Sequence, residues 1–138
     1  MLISKTDQYA LRAVLCLAQQ PAGLPLGAAH VAHRLGLPGN YLSKILHSLA
    51  RAGVLVSERG PRGGFRLARP PEELWLAEVI APFNSLVQQR SCLLGRGECS
   101  DDSPCRVHEH WRAASDPVIE FFKQTAIADL LGEVDLCE

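Results

Sequence analysis

The chain has 138 residues, 47 % of them apolar and 21 % charged, which fits one folded domain, or one small domain with an appendage, and excludes a disordered chain. No apolar run approaches the roughly 18 residues of a membrane-spanning helix, and Met1 to Tyr9 lack the basic flank and apolar stretch of a signal peptide; a cytoplasmic protein without a membrane partner is expected. The net charge of −1 is unusual for a nucleic-acid binder, yet from Arg34 to Arg69 seven basic residues stand against the single acid Glu58, while the chain beyond Pro70 is acidic.

In chain order, Ser4 is a helix cap with Asp7 three residues later, near the positive end of the helix. Tyr9, Ala10, Ala13, Val14, Leu17 and Ala18 then recur at helical spacing, which predicts a first helix ending near Gln20, before Pro21. Cys16 lies within it and is read as a free thiol packed in the core. A short second helix is expected from about Gly27 to Leu35, then the turn Gly36-Leu37-Pro38-Gly39. A third helix is expected from about Asn40 to Arg51, with Tyr41, Leu42, Ile45, Leu46 and Leu49 inward. Two short helices joined by a glycine-containing turn make a helix-turn-helix.

Val54-Leu55-Val56 and Phe65-Arg66-Leu67 read as short strands around the tip Arg59-Gly60-Pro61-Arg62-Gly63-Gly64. A helix-turn-helix followed by such a hairpin is a winged helix, whose third helix can enter a major groove while the basic wing approaches the backbone. A further helix is expected from Glu72 to Phe83, ended or distorted by Pro82.

Cys92, Cys99 and Cys105 then stand in a stretch rich in Gly, Asp, Ser and Pro, with His108 three positions after the last. Structural cysteines usually sit on apolar periodic segments; these do not, and in a reducing compartment the cluster points to a metal centre. The intervals do not fit the tight pairs of structural zinc, and thiolates are the usual ligands of iron–sulfur clusters. Beyond this stretch Val107, Trp111, Ala114, Val118, Phe121 and Thr125 repeat at spacings of four and three, a seam that predicts dimerisation through a C-terminal helix. Pro117 is expected to kink that helix or restart it with Asp116 as cap. Cys137, in an acidic tail, is a poor ligand.

The chain resembles the bacterial winged-helix regulators of the Rrf-two family, with its IscR-like and NsrR-like members. The resemblance is carried by Ser4 to Ala10 with Ala13, the segment Tyr41-Leu42-Ser43-Lys44-Ile45-Leu46, the wing Arg59 to Phe65, the three-cysteine stretch and the segment Thr125-Ala-Ile-Ala-Asp-Leu. It implies a homodimer that binds palindromic double-stranded promoter DNA through the third helix and the wing. It also implies an iron–sulfur cluster on Cys92, Cys99 and Cys105. His108 is the first candidate for fourth ligand, with a [2Fe–2S] cluster favoured over [4Fe–4S]. Asp7 from the partner subunit is the second, in the NsrR-like manner, and His33 the third. Two positions depart from the pattern. The first cysteine interval is one residue longer than in the named members, and position 43 is Ser where IscR-like proteins carry an acid.

The expected architecture is therefore mainly α: a winged helix-turn-helix over residues 1–83, a cysteine-rich cluster-binding loop over 84–106, and a dimerisation helix and tail over 107–138. The expected DNA-reading residues are Pro38, Asn40, Tyr41, Ser43, Lys44, Arg59, Gly60, Arg62 and Gly63. The expected function is a cluster-controlled transcription regulator of the repressor kind, sensing iron–sulfur status, redox state or nitric oxide. The rivals are direct thiol sensing of oxidants without a cluster, and a redox protein that does not bind DNA. No motif supports an enzyme or a small-molecule substrate.

Overall fold

The structure is a computed structural model and describes residues 3–21, 23–84 and 106–132. Helix α1 spans Lys5–Ala18. Ser4 caps it: Ser4 Oγ accepts from the Asp7 amide (3.1 Å), and Asp7 Oδ2 accepts from the Ser4 amide (2.8 Å). This reciprocal box satisfies two amides that the first turn leaves without helical partners. Helix α2 spans Ala28–Leu35 and stops at Gly36, whose φ of +67° suits glycine and lets the Leu37 amide turn back onto the Ala32 carbonyl (2.9 Å). Helix α3 spans Gly39–Arg51 and buries Leu42, Ile45, Leu46 and Leu49.

Strands β1 (Leu55–Glu58) and β2 (Gly64–Leu67) pair antiparallel, Leu55 opposite Leu67 and Glu58 opposite Gly64. Leu26 adds a bridge to β2 by exchanging both backbone hydrogen bonds with Phe65 (3.0 and 2.9 Å). The hairpin is thus tied to the segment between α1 and α2. The core that carries these elements comprises α1, the inner faces of α2 and α3, Val54, Leu55, Phe65, and Leu74, Leu76, Val79 and Ile80.

The helix expected over Glu72 to Phe83 is shorter. A 3-10 turn at Pro71–Glu73 gives way to extended backbone at Leu74 and Trp75, and helix α4 covers only Leu76–Ile80. The cause is a long-range pairing: Trp75 bridges Ala126, the Leu76 amide donates to the Thr125 carbonyl (2.9 Å), and the Ile127 amide donates to the Leu74 carbonyl (2.8 Å). Extended backbone at Trp75 serves this ladder at the expense of a longer helix.

Helix α5 runs from His108 to Gln124 without a break, so Pro117 neither restarts it nor makes Asp116 a cap. Pro117 and Ala113 are exposed, and water can satisfy the Ala113 carbonyl that the proline cannot. Among the described residues the last element is a 3-10 turn at Ile127–Leu130, whose Ile127 is wholly buried. Residues 125–127 thus stitch the end of α5 to the body that carries α1 to α4. Among the described residues, no helix is long and apolar enough to cross a membrane.

Candidate nucleic-acid interface and the anchors of the cysteine segment

The buried positions of α3 fix which side chains it offers outward. Asn40, Lys44, His47 and Arg51 are exposed and Ser43 is half-buried. Pro38, ahead of the helix, is exposed as well. His47 was not among the expected DNA-reading residues, although it lies three positions after Lys44 and four after Ser43. Its Nδ1 donates to the Ser43 carbonyl (2.7 Å), and its ring meets Phe65 of β2 at 5.3 Å in a T-shaped contact. It therefore joins the recognition helix to the wing.

Tyr41 has a second role. Its hydroxyl shares a hydrogen bond with Thr6 Oγ1, and its ring packs edge-on against Tyr9 at 5.9 Å. It is half-buried and pins α3 to the first turns of α1.

At the wing, Arg59, Gly60 and Arg62 are exposed. Gly63 and Gly64 have an internal reason to be glycine. A Cβ on Gly63 would lie 2.2 Å from the Glu58 carbonyl oxygen, and one on Gly64 would lie 2.5 Å from the Leu26 carbonyl group. The basic block is also partly spent within the fold: Arg66 pairs with Glu58 (2.6 Å) and Arg69 with Glu78 (2.7 Å). Lys44, Arg59 and Arg62 make no ion pair among the described residues, and they occupy the recognition helix and the wing tip.

Cys92, Cys99 and Cys105 lie outside the described residues, as does Cys137. The two ends of the cysteine segment are described. Asn84, at its start, donates from Nδ2 to Asp7 Oδ2 (2.8 Å). His108, beyond its end, is the first residue of α5 and only 6 % exposed. Asp7 is wholly buried within its own subunit, and its Oδ1 has no hydrogen-bond partner among the described residues. His33 is exposed on α2. The structure thus separates the three candidates for fourth ligand: two are buried, at opposite anchors of the segment, and one faces solvent. Among the described residues alone, no three His, Cys, Asp or Glu side chains come together as a metal site. Cys16 is buried as expected but is not a free thiol: it is disulfide-bonded, and no second cysteine lies among the described residues.

The sequence pattern of the Rrf2 (Rrf-two) family, described as iron-dependent transcriptional regulators, matches residues 3–133. The chain belongs to this family. A helix-turn-helix-type transcriptional regulator of Aquifex aeolicus is 36 % identical over 134 residues, covering 96 % of this chain and 92 % of the relative. The regulator IscR of Vibrio campbellii is 28 % identical over 138 residues, covering all of this chain and 82 % of that one. Among solved structures, CymR, titled the global cysteine regulator of B. subtilis, superposes with a TM-score of 0.81 at 24 % identity, over 98 % of this chain and 99 % of its own. IscR of T. potens superposes with a TM-score of 0.77 at 23 % identity, over 98 % and 89 %. These last two establish the winged-helix fold. The protein is a DNA-binding transcription regulator, of a family that is not enzymatic.

Proposed function

We propose that this regulator works in the cytoplasm as a homodimer whose grip on palindromic promoter DNA is set by an iron–sulfur cluster on Cys92, Cys99 and Cys105. The observation that carries the proposal is where the cysteine segment is anchored. On its N-terminal side Asn84 is bonded to α1, and on its C-terminal side the buried His108 opens α5. Three thiolates need one more donor to complete a cluster's ligation. His108 is the preferred fourth ligand, since it is buried, follows Cys105 by three residues and offers a ring nitrogen; a [2Fe–2S] cluster suits this set. Asp7 follows, with its unpartnered Oδ1, although in this structure its carboxylate is enclosed by its own subunit. The exposed His33 comes last. When bound, the cluster supplies iron that oxidants and nitric oxide attack, and a non-thiolate ligand makes it easier to lose.

The chain's own residues do the rest. Asn40, Ser43 and Lys44 face the major groove, with Tyr41 holding the helix that bears them. Arg59, Gly60 and Arg62 place the wing on the phosphate backbone, whose contacts position the protein rather than read sequence. Pro38 leads into the helix, and Gly63 closes the wing tip. The dimer forms through α5. Its buried side is His108, Ser115, Ile119 and Phe122, whereas the seam keeps Val107 and Phe121 exposed and Trp111 and Val118 half-buried. The exposed Val107 and Phe121 of that seam fit pairing with a second copy.

The test is anaerobic purification with quantification of iron and acid-labile sulfide, visible absorption, and DNA affinity before and after cluster removal. Bound iron and sulfide with cluster-dependent affinity are expected, and both should vanish in the triple Cys→Ala protein. A triple variant that binds DNA and responds as the wild type does would refute the cluster. One observation favours a second reading, in which thiols sense oxidants directly: Cys16 is disulfide-bonded. In that case the responsive protein contains no iron, and Cys16→Ser abolishes its response to peroxide.

A further inference from the structure

We propose that Asn84 is a positioning residue for DNA reading, and that its bond to Asp7 carries the state of the cysteine segment to the recognition helix. This rests on the reading above, in which that segment holds the sensed centre.

Asp7 is wholly buried, and a buried carboxylate is costly unless donors surround it. Among the described residues its Oδ2 receives two, the Ser4 amide and Asn84 Nδ2, both at 2.8 Å, and its Oδ1 receives none. Asn84 therefore supplies half of the donors that this carboxylate has there. The same residue ends the turn after α4, its amide bonded to the Ile80 carbonyl (2.9 Å), and the cysteine-bearing stretch follows it directly.

On its other side, the Asp7 turn touches DNA-reading structure. Thr6, its neighbour, bonds the Tyr41 hydroxyl, and Tyr9 packs against the Tyr41 ring. Tyr41 stands in α3 between Asn40 and the outward pair Ser43 and Lys44. The contacts run without a gap: Asn84 to Asp7, along one turn of α1, then to Tyr41. Residues 77 apart in sequence are joined by a single hydrogen bond, and coupling between the sites requires that it be made in one state and broken in the other. With the bond made, the first turn of α1 and the start of α3 are held together. With it broken, Asp7 keeps only its capping amide and that turn loosens.

Two variants test this: Asn84→Ala, which removes the donor, and Asp7→Asn, whose carboxamide oxygen can accept from both the Ser4 amide and Asn84 Nδ2, as Oδ2 does. Amide hydrogen exchange is read at residues 4–9 and 39–44 in cluster-free protein. DNA affinity is compared with and without the iron–sulfur centre, on a duplex selected with the wild-type protein.

Asn84→Ala should leave the visible absorption of loaded protein intact. It should speed exchange at both segments about tenfold, as local opening becomes easier. The wild-type ratio of loaded to free affinity, expected at about 5- to 150-fold, should fall to within about twofold of one. Asp7→Asn should keep the protection of both segments in cluster-free protein, because its oxygen can still accept from Asn84. Wild-type exchange rates at residues 39–44 in Asn84→Ala would overturn the proposal, as would a full affinity ratio in that variant or a loss of protection in Asp7→Asn as large as in Asn84→Ala. The hydrogen-exchange comparison needs no cluster. If the wild type takes up no iron, the cluster reading falls, and exchange at residues 39–44 still decides the role of Asn84.

Discussion

Gly64→Ala should cost far more than a single methyl usually does. Gly64 has φ +146°, and an added Cβ would lie 2.5 Å from both the carbon and the oxygen of the Leu26 carbonyl and 2.7 Å from the Gly27 nitrogen. These are backbone atoms of the strand-like segment that β2 pairs with, so no side chain can swing away. Holding a non-glycine residue in that backbone region costs on the order of 1–3 kcal/mol. Relieving the clash separates Leu26 from Phe65 and breaks their two backbone hydrogen bonds, worth about 0.5–1.5 kcal/mol each. The expected loss is therefore about 2–6 kcal/mol, a fall in Tm of about 8–24 °C for a chain of this size. The assay is urea and thermal unfolding followed by circular dichroism, with Gly39→Ala as control. Gly39 opens α3 with nothing within 4 Å of its Cβ position, and its replacement should change stability by less than about 1 kcal/mol. A Gly64→Ala protein that loses less than about 1 kcal/mol, or no more than Gly39→Ala, would show that the close approach of the wing to residues 26 and 27 is not what demands glycine.

Arg59→Ala and Arg62→Ala should each weaken DNA binding and each lower the slope of log affinity against log salt by about one, because each removes one proposed phosphate contact; unchanged slopes in fluorescence anisotropy titrations would take these residues off the backbone. Phe121→Glu places a charge on the exposed seam of α5, and sedimentation should show monomers with wild-type helical content; an unaltered dimer would move the interface elsewhere. Pro117→Ala restores a missing amide on the solvent side of α5 and should raise stability by about 1–3 kcal/mol in chemical unfolding, in keeping with proline's cost inside helices; a destabilised variant would mean that the proline's local geometry is needed.

The parts of the fold legible in the sequence are those governed by neighbours a few residues apart. The Ser4–Asp7 box, the glycine stop at Gly36, the buried face of α3 and the two strands all follow from local spacing and capping chemistry. The parts that were not legible depend on distant partners. Trp75 is extended because Ala126 lies beside it, and no pattern over Glu72 to Phe83 could show that. Pro117 sits inside a helix because its ring and the Ala113 carbonyl face water. Gly63 and Gly64 look from sequence like room for a phosphate, yet the space they leave is filled by Glu58 and by Leu26. Asp7 reads correctly as a cap, but its bond to Asn84 spans 77 positions. Tyr41 reads as both inward and DNA-facing, and the structure gives it a partner on α1 that holds α3 in place.

The short ladder between residues 74–76 and 125–127 has a mechanical consequence. It clamps the end of α5 to the body that carries the recognition helix, by two backbone hydrogen bonds and the buried Ile127. At 17 residues, α5 is a rod about 25 Å long. A rod gripped at Gln124 swings most at its other end, which begins with the buried His108. A tilt of about 5° there displaces that end by about 2 Å, by the same length arithmetic. If two such rods lie against each other in a dimer, their clamped ends carry the two DNA-reading bodies. A small push at the tips then becomes a rotation of one body against the other, with no change inside either.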